Sequence, residues 1–146
     1  MNQTVTGSGY EPEIVVIFCR QSVAVDLDPM TAPLAAKDLK LKFASMTCSS
    51  KLELPHLLRV LEGGADGILL VACPVDGCAR MSGSTASGRR IERGRALLAE
   101  AGLPADRIAL ERGRGLSAGD LAERARKFAA ILRPLGPNPM KGVPEK

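Results

Sequence analysis

The run Gly67-Ile68-Leu69-Leu70-Val71-Ala72 leads directly into Cys73-Pro74-Val75-Asp76-Gly77-Cys78. Six residues without polar alternation read as a strand buried on both faces, the kind found at the centre of a parallel sheet. Upstream, Ile14-Val15-Val16-Ile17-Phe18 is a second buried run rich in β-branched residues. Leu41-Lys42-Phe43-Ala44-Ser45-Met46 alternates like a half-buried strand, and Arg107-Ile108-Ala109-Leu110 reads as a shorter edge strand.

Between these runs the apolar period changes from two to about 3.6. Ser50 and Glu53 have capping-box spacing, and Leu54, Leu57, Leu58 and Leu61 then form a stripe that stops at Gly63-Gly64. A second helix is predicted over residues 87–101, with Ile91, Leu97, Leu98 and Ala101 on its stripe and Gly94 an unfavourable interior residue. Ser117 with Asp120 opens a third, whose stripe is Leu121, Ala125, Phe128 and Leu132 and which Pro134 closes. A short helix is also expected within residues 29–38. Alternating strands and helices imply an α/β fold: a small, doubly wound, mainly parallel four-stranded sheet, flavodoxin- or Rossmann-like. Helices cover both faces, and the expected strand order is 2-1-3-4. Such sheets bind ligands outside the carboxyl ends of their strands, where the order reverses.

The chain has 146 residues, 45% hydrophobic and 25% charged, the size and composition of one globular domain. Residues 1–12 read as a flexible amino-terminal segment, 13–133 as the folded domain and 134–146 as a Pro-rich tail. No apolar run approaches the roughly 20 residues of a membrane span. The first residues have neither a basic nor an apolar signal region, so the expected location is the cytoplasm. Twenty Lys and Arg against 16 Asp and Glu give a net charge of +4. With no Trp, one Tyr and three Phe, the chain lacks the stacking residues of a nucleic-acid platform, and no nucleic-acid partner is expected.

The four cysteines are placed unusually. Cys19 follows the first predicted strand, Cys48 lies two residues past the second, Cys73 directly follows the third, and Cys78 is in the loop beyond. In a parallel sheet all four fall at one rim. A single buried cysteine is ordinarily an inert small hydrophobe, but four thiols returned to one rim by separate crossovers favour a soft metal site. Tetrahedral zinc and an iron–sulfur cluster both accept four thiolates. There is no CxxC pair, the usual structural-zinc knuckle, while the Cys73–Cys78 spacing is compatible with a [2Fe–2S] cluster. His56 reads as a solvated or capping residue rather than a ligand or base. Gly7-Ser8-Gly9 and Gly113-Arg114-Gly115 read as loop glycines. Arg80, Arg89, Arg90, Arg93 and Arg95 cluster after Cys78; they form either a solvated face or a cationic surface that neutralises thiolates and docks an acidic redox partner.

Residues 64–78, Gly-Ala-Asp-Gly-Ile-Leu-Leu-Val-Ala-Cys-Pro-Val-Asp-Gly-Cys, with Ser82-Gly83 and Arg89-Arg90 after them, resemble the delta subunit family of methyl-viologen-reducing hydrogenase. Phe18-Cys19, Ala24-Val25-Asp26-Leu27, Met46-Thr47-Cys48-Ser49 and Arg107-Ile108-Ala109-Leu110-Glu111 extend the resemblance over about residues 13 to 133. The resemblance implies one [2Fe–2S] cluster on Cys19, Cys48, Cys73 and Cys78, and an electron-transfer role without an active site of its own. It also implies a hetero-oligomeric complex with a heterodisulfide-reductase-like flavin and iron–sulfur subunit. The second redox subunit would be of hydrogenase, formate or NADH dehydrogenase, or benzoyl-CoA-reductase type. A zinc-stabilised structural or regulatory domain is the alternative. Members of the family commonly carry CxxC in the first loop. Here Cys19-Arg20-Gln21-Ser22 lacks the second thiol, and Ser22 reads as occupying a spare position rather than as an oxygen ligand.

Overall fold

The computed structural model describes residues 11–24, 27, 40–46, 53–72 and 83–138. Strand β1 (Glu13–Cys19) uses the first β-branched run, β2 (Lys40–Met46) the alternating one and β3 (Gly67–Ala72) the unbroken one; β4 (Ile108–Arg112) follows. They form one sheet in the order β2-β1-β3-β4, with every neighbouring pair parallel. This is the expected doubly wound order. All six residues of β3 are buried, so none of its positions has a water-facing side to favour polar residues. On β2, Lys40, Lys42 and Ala44 are exposed while Leu41 and Phe43 pack against the core, hence the alternation.

Helices α1 (Leu54–Glu62) and α2 (Gly83–Glu100) cover one face of the sheet. Their Leu57, Leu61, Ile91 and Leu98 meet Ile17, Ile68, Leu70 and Ile108. The other face receives α3 (Ala118–Leu132), whose Leu121, Ala125, Phe128 and Leu132 pack on Ile14, Val16, Phe18, Leu69 and Val71. Each large apolar side chain so buried stabilises the fold by about 1.5–3 kcal/mol. α3 lies so close to the start of β3 that a Cβ on Gly67 would stand 2.6 Å from Leu132 Cδ1 and 2.8 Å from the Phe128 ring.

Several local expectations change. The N-cap of α1 is Glu53, one residue before the helix, and Ser50 lies outside the described residues. On α2, which begins at Gly83, Leu97 is 40% exposed and Ala101 is exposed; the packed line is Ile91, Gly94, Leu98. Gly94 has a packing reason: a Cβ there would come within 3.3 Å of Leu54 Cδ1 and 3.4 Å of Ile108 Cδ1, so its absence lets α2 approach α1 and β4. β4 runs on to Arg112, two residues beyond the predicted strand. The helix expected within residues 29–38 lies outside the described residues.

At the amino-terminal end of the sheet, Asp66, Arg107 and Asn138 are buried together. Asp66 carboxylate oxygens accept the backbone N–H of Glu13 and of Asn138, each at 2.8 Å. Arg107 donates to the carbonyl of Asp66 at 3.0 Å and to that of Gly136 at 2.9 Å. Asn138 Nδ2 donates to the carbonyls of Leu61 (3.1 Å) and Ala65 (2.8 Å). The chain after α3 therefore passes through a short 3-10 turn, Arg133–Leu135, and stays on the body as far as Asn138.

Candidate functional site

Parallel pairing brings the carboxyl ends of all four strands to one rim, where Cys19 closes β1, Met46 β2, Ala72 β3 and Arg112 β4. Cys19 is in register with Met46, Phe18 with Val71, and Ala72 with Arg112. Cys19 is only 1% exposed and is the last residue of β1 rather than the first beyond it. Strand alternation puts it on the same face as Ile17, the side covered by α1 and α2. Cys48, Cys73 and Cys78 lie outside the described residues. Among the described residues no three His, Cys, Asp or Glu side chains gather as a metal site.

Directly after Cys19 the chain makes a 3-10 turn, Arg20–Ser22. Ser22 is fully buried, and its hydroxyl donates to the Cys19 carbonyl at 2.6 Å, with the Val71 carbonyl at 3.4 Å. The backbone around it is laced to the loop after β4. Leu116 N–H donates to the Ser22 carbonyl at 3.1 Å and Ala24 N–H to the Leu116 carbonyl at 2.8 Å. Gly113 N–H donates to the Ala72 carbonyl at 2.9 Å, joining the end of β3 to the same loop. These inward contacts between segments far apart in sequence carry no local sequence signal.

The Arg20 guanidinium stands 5.9 Å from the Phe18 ring centroid and donates to the Leu27 carbonyl at 3.0 Å. Arg112 ends β4, and Glu111 before it is paired with Arg124 at 2.6 Å. The arginines grouped in the sequence divide. Arg89 and Arg93 are exposed on α2, whereas Arg95 donates to the carbonyls of Ile108 (2.7 Å) and Ala105 (3.2 Å), fastening α2 to the entry of β4. Arg80 lies outside the described residues. His56 is exposed, and its Nδ1 accepts the Glu53 backbone N–H at 3.3 Å, the capping role expected for it. A cleft of about 340 Å³ lined by Glu13, Lys40, Lys42 and Gly64 lies toward the opposite, amino-terminal end of the strands.

Among the described residues no helix is long and apolar enough to cross a membrane. Known proteins align with the chain over nearly its whole length. The iron-sulfur subunit of the vhu F420-non-reducing hydrogenase from Methanococcus maripaludis is 26% identical over 136 residues, covering 90% of this chain and 98% of that protein. The iron-sulfur subunit of an F420-non-reducing hydrogenase from Archaeoglobus profundus is 29% identical over 128 residues, covering 88% and 93%. Its counterpart in the vhu hydrogenase of Methanocaldococcus jannaschii is 24% identical over 131 residues, covering 90% and 98%. Residues 14–136 match the family described as methyl-viologen-reducing hydrogenase, delta subunit, a span that takes in all of the sheet but Glu13 and the whole of α1 to α3, and the chain belongs to that family.

Proposed function

We propose that this protein is an electron-transfer subunit of a multi-subunit oxidoreductase, holding one [2Fe–2S] cluster on Cys19, Cys48, Cys73 and Cys78. The observation that carries this reading is the position of Cys19, buried at the carboxyl end of β1 and level with the ends of β2 and β3. In sequence Cys73 is one peptide beyond Ala72 and Cys48 two beyond Met46, with about 3.8 Å of chain per peptide. The naming of the relatives as iron–sulfur subunits of hydrogenases supports the same cofactor class and membership of a complex.

The donor set is chemically suited to the group: four cysteines, the first of them shielded from water. A bound [2Fe–2S] cluster would accept and return single electrons with no substrate bond made or broken. The chain itself contributes burial of the Cys19 thiol, positive charge from Arg112 at the end of β4 that favours the more negative reduced state, and fixed strand ends that limit rearrangement. We assign a cytoplasmic, hetero-oligomeric setting. The partners are a heterodisulfide-reductase-like flavin and iron–sulfur subunit and a second redox subunit.

Anaerobic isolation with metal and acid-labile sulfide analysis tests the proposal. About two irons and two sulfides per chain, with an EPR signal on reduction, are expected. About one zinc with no sulfide would replace this reading with a structural zinc domain. Cys19→Ser, Cys73→Ser and Cys78→Ser should each lose or destabilise the cluster; full iron and an unchanged EPR signal in any of them would show that residue not to be a ligand.

A further inference from the structure

We propose that Ser22 is a positioning residue that fixes the ligand-bearing turn after β1 from inside the protein; the role rests on the cluster reading. In sequence, Ser22 occupies the second position of a C-x-x-C spacing, where a thiol would face a metal. The side chain is completely buried, and its single hydroxyl proton is committed to the Cys19 carbonyl at 2.6 Å. The Val71 carbonyl at 3.4 Å is close enough only for a weak share of that proton. Val71 is two residues before Cys73, so one hydroxyl spans the carbonyl of the first proposed ligand and the strand end from which another departs.

The backbone of Ser22 extends the brace to a third segment. Its carbonyl receives the Leu116 N–H, and Leu116 in turn receives the Ala24 N–H and bridges Val23, so the loop after β4 closes over the turn. Cys19 itself has extended backbone angles, φ −75° and ψ 133°, and the bond to its carbonyl holds the peptide plane from which the turn begins. Water has no access here, so no solvent donor takes the place of the hydroxyl once it is removed. A thiol would serve poorly in its place, because an S–H group is a weak donor and sulfur is too large for a 2.6 Å contact.

Ser22→Ala, with Ser22→Thr as the hydroxyl-retaining comparison, separates a brace from a ligand and from a bystander. In the cluster-free full chain, Ser22→Ala should speed amide exchange at Ala24 and Leu116 by about tenfold while the β3 amides keep their protection. In the native complex it should keep iron and sulfide, shift the EPR g-values and midpoint potential, and release iron to a chelator about tenfold faster. Ser22→Thr should move each readout back toward wild type. Unchanged exchange, g-values and potential in Ser22→Ala would overturn the brace while leaving the cluster reading standing. Loss of all iron with unchanged exchange would make Ser22 a ligand instead. A wild-type complex without iron or sulfide would overturn the cluster reading, and with it this role.

Discussion

Arg107 shows how much a single residue can hold in this fold. Its guanidinium is buried, yet it donates to carbonyls of Asp66, Gly136 and Pro137, and its Nε has no hydrogen-bond partner. A buried cation is tolerated only when its surroundings solvate it, and here backbone carbonyls and the nearby Asp66 replace water. Arg107→Met should therefore remove the guanidinium's bonds to the carbonyls of Asp66, Gly136 and Pro137 in a buried region. We expect a loss of about 2–4 kcal/mol, read as a lower urea midpoint with the slope unchanged. His56 is the opposite case, exposed, its ring accepting the N–H of Glu53 in a capping box. His56→Ala should cost about 0.5–1 kcal/mol of stability and leave the EPR spectrum of the native complex unaltered, since a cap is all that is lost.

Among the elements, α3 is the clearest match between sequence and structure. Ser117 Oγ accepts the Asp120 N–H at 3.1 Å and an Asp120 carboxylate oxygen accepts the Ser117 N–H at 3.0 Å, closing the capping box that their spacing predicts. The Ser117 backbone N–H, then its hydroxyl, and more weakly Arg124 hold the Asp120 carboxyl below its ordinary 3.8. A lowered folded-state value means that this stabilisation is present above 3.8 and fades as pH falls through the folded-state value. The difference in urea midpoint between wild type and Asp120→Asn should accordingly be larger at about pH 6 than at about pH 3. Gly67→Ala should cost about 1–3 kcal/mol, because the new methyl meets Leu132 and Phe128 closer than packing allows. Period and turn residues made the four strands, their order and the stripe of α3 legible, and that of α1 except that Val60 rather than Leu58 packs with Leu54, Leu57 and Leu61. What they left hidden is long-range: Gly94 owes its place in α2 to Leu54 and Ile108, and Arg95 faces inward because two carbonyls at the entry of β4 await donors. Of the four proposed ligands, Cys19 alone lies among the described residues, as the last residue of β1 where the sequence pattern puts it just beyond the strand. The burial of Ser22 was not legible, because its acceptors Cys19 and Val71 belong to different strands.

Over the whole molecule, the parallel sheet separates two tasks by its length. Its amino-terminal end is tied by Asp66, Arg107 and Asn138, which join β1, α1, the entry to β3 and the chain after α3. Its carboxyl end carries Cys19, Ser22 and the proposed cluster. Between them lies β3, buried on both faces, whose packed side chains give the ends a fixed spacing. Sites this far apart with no shared partner are expected to act additively. Asn138→Ala removes the side-chain donor to the Ala65 carbonyl and one of two donors to the Leu61 carbonyl, which keeps the Gly64 N–H, and should lower stability by about 1–3 kcal/mol while leaving the midpoint potential and g-values of the native complex where they were. In the double variant with Ser22→Ala, the two losses of stability should sum and the shift in potential should equal that of Ser22→Ala alone. A shift in potential from Asn138→Ala by itself would mean that β3 transmits strain between the rims, and the division of labour along the sheet would have to be given up.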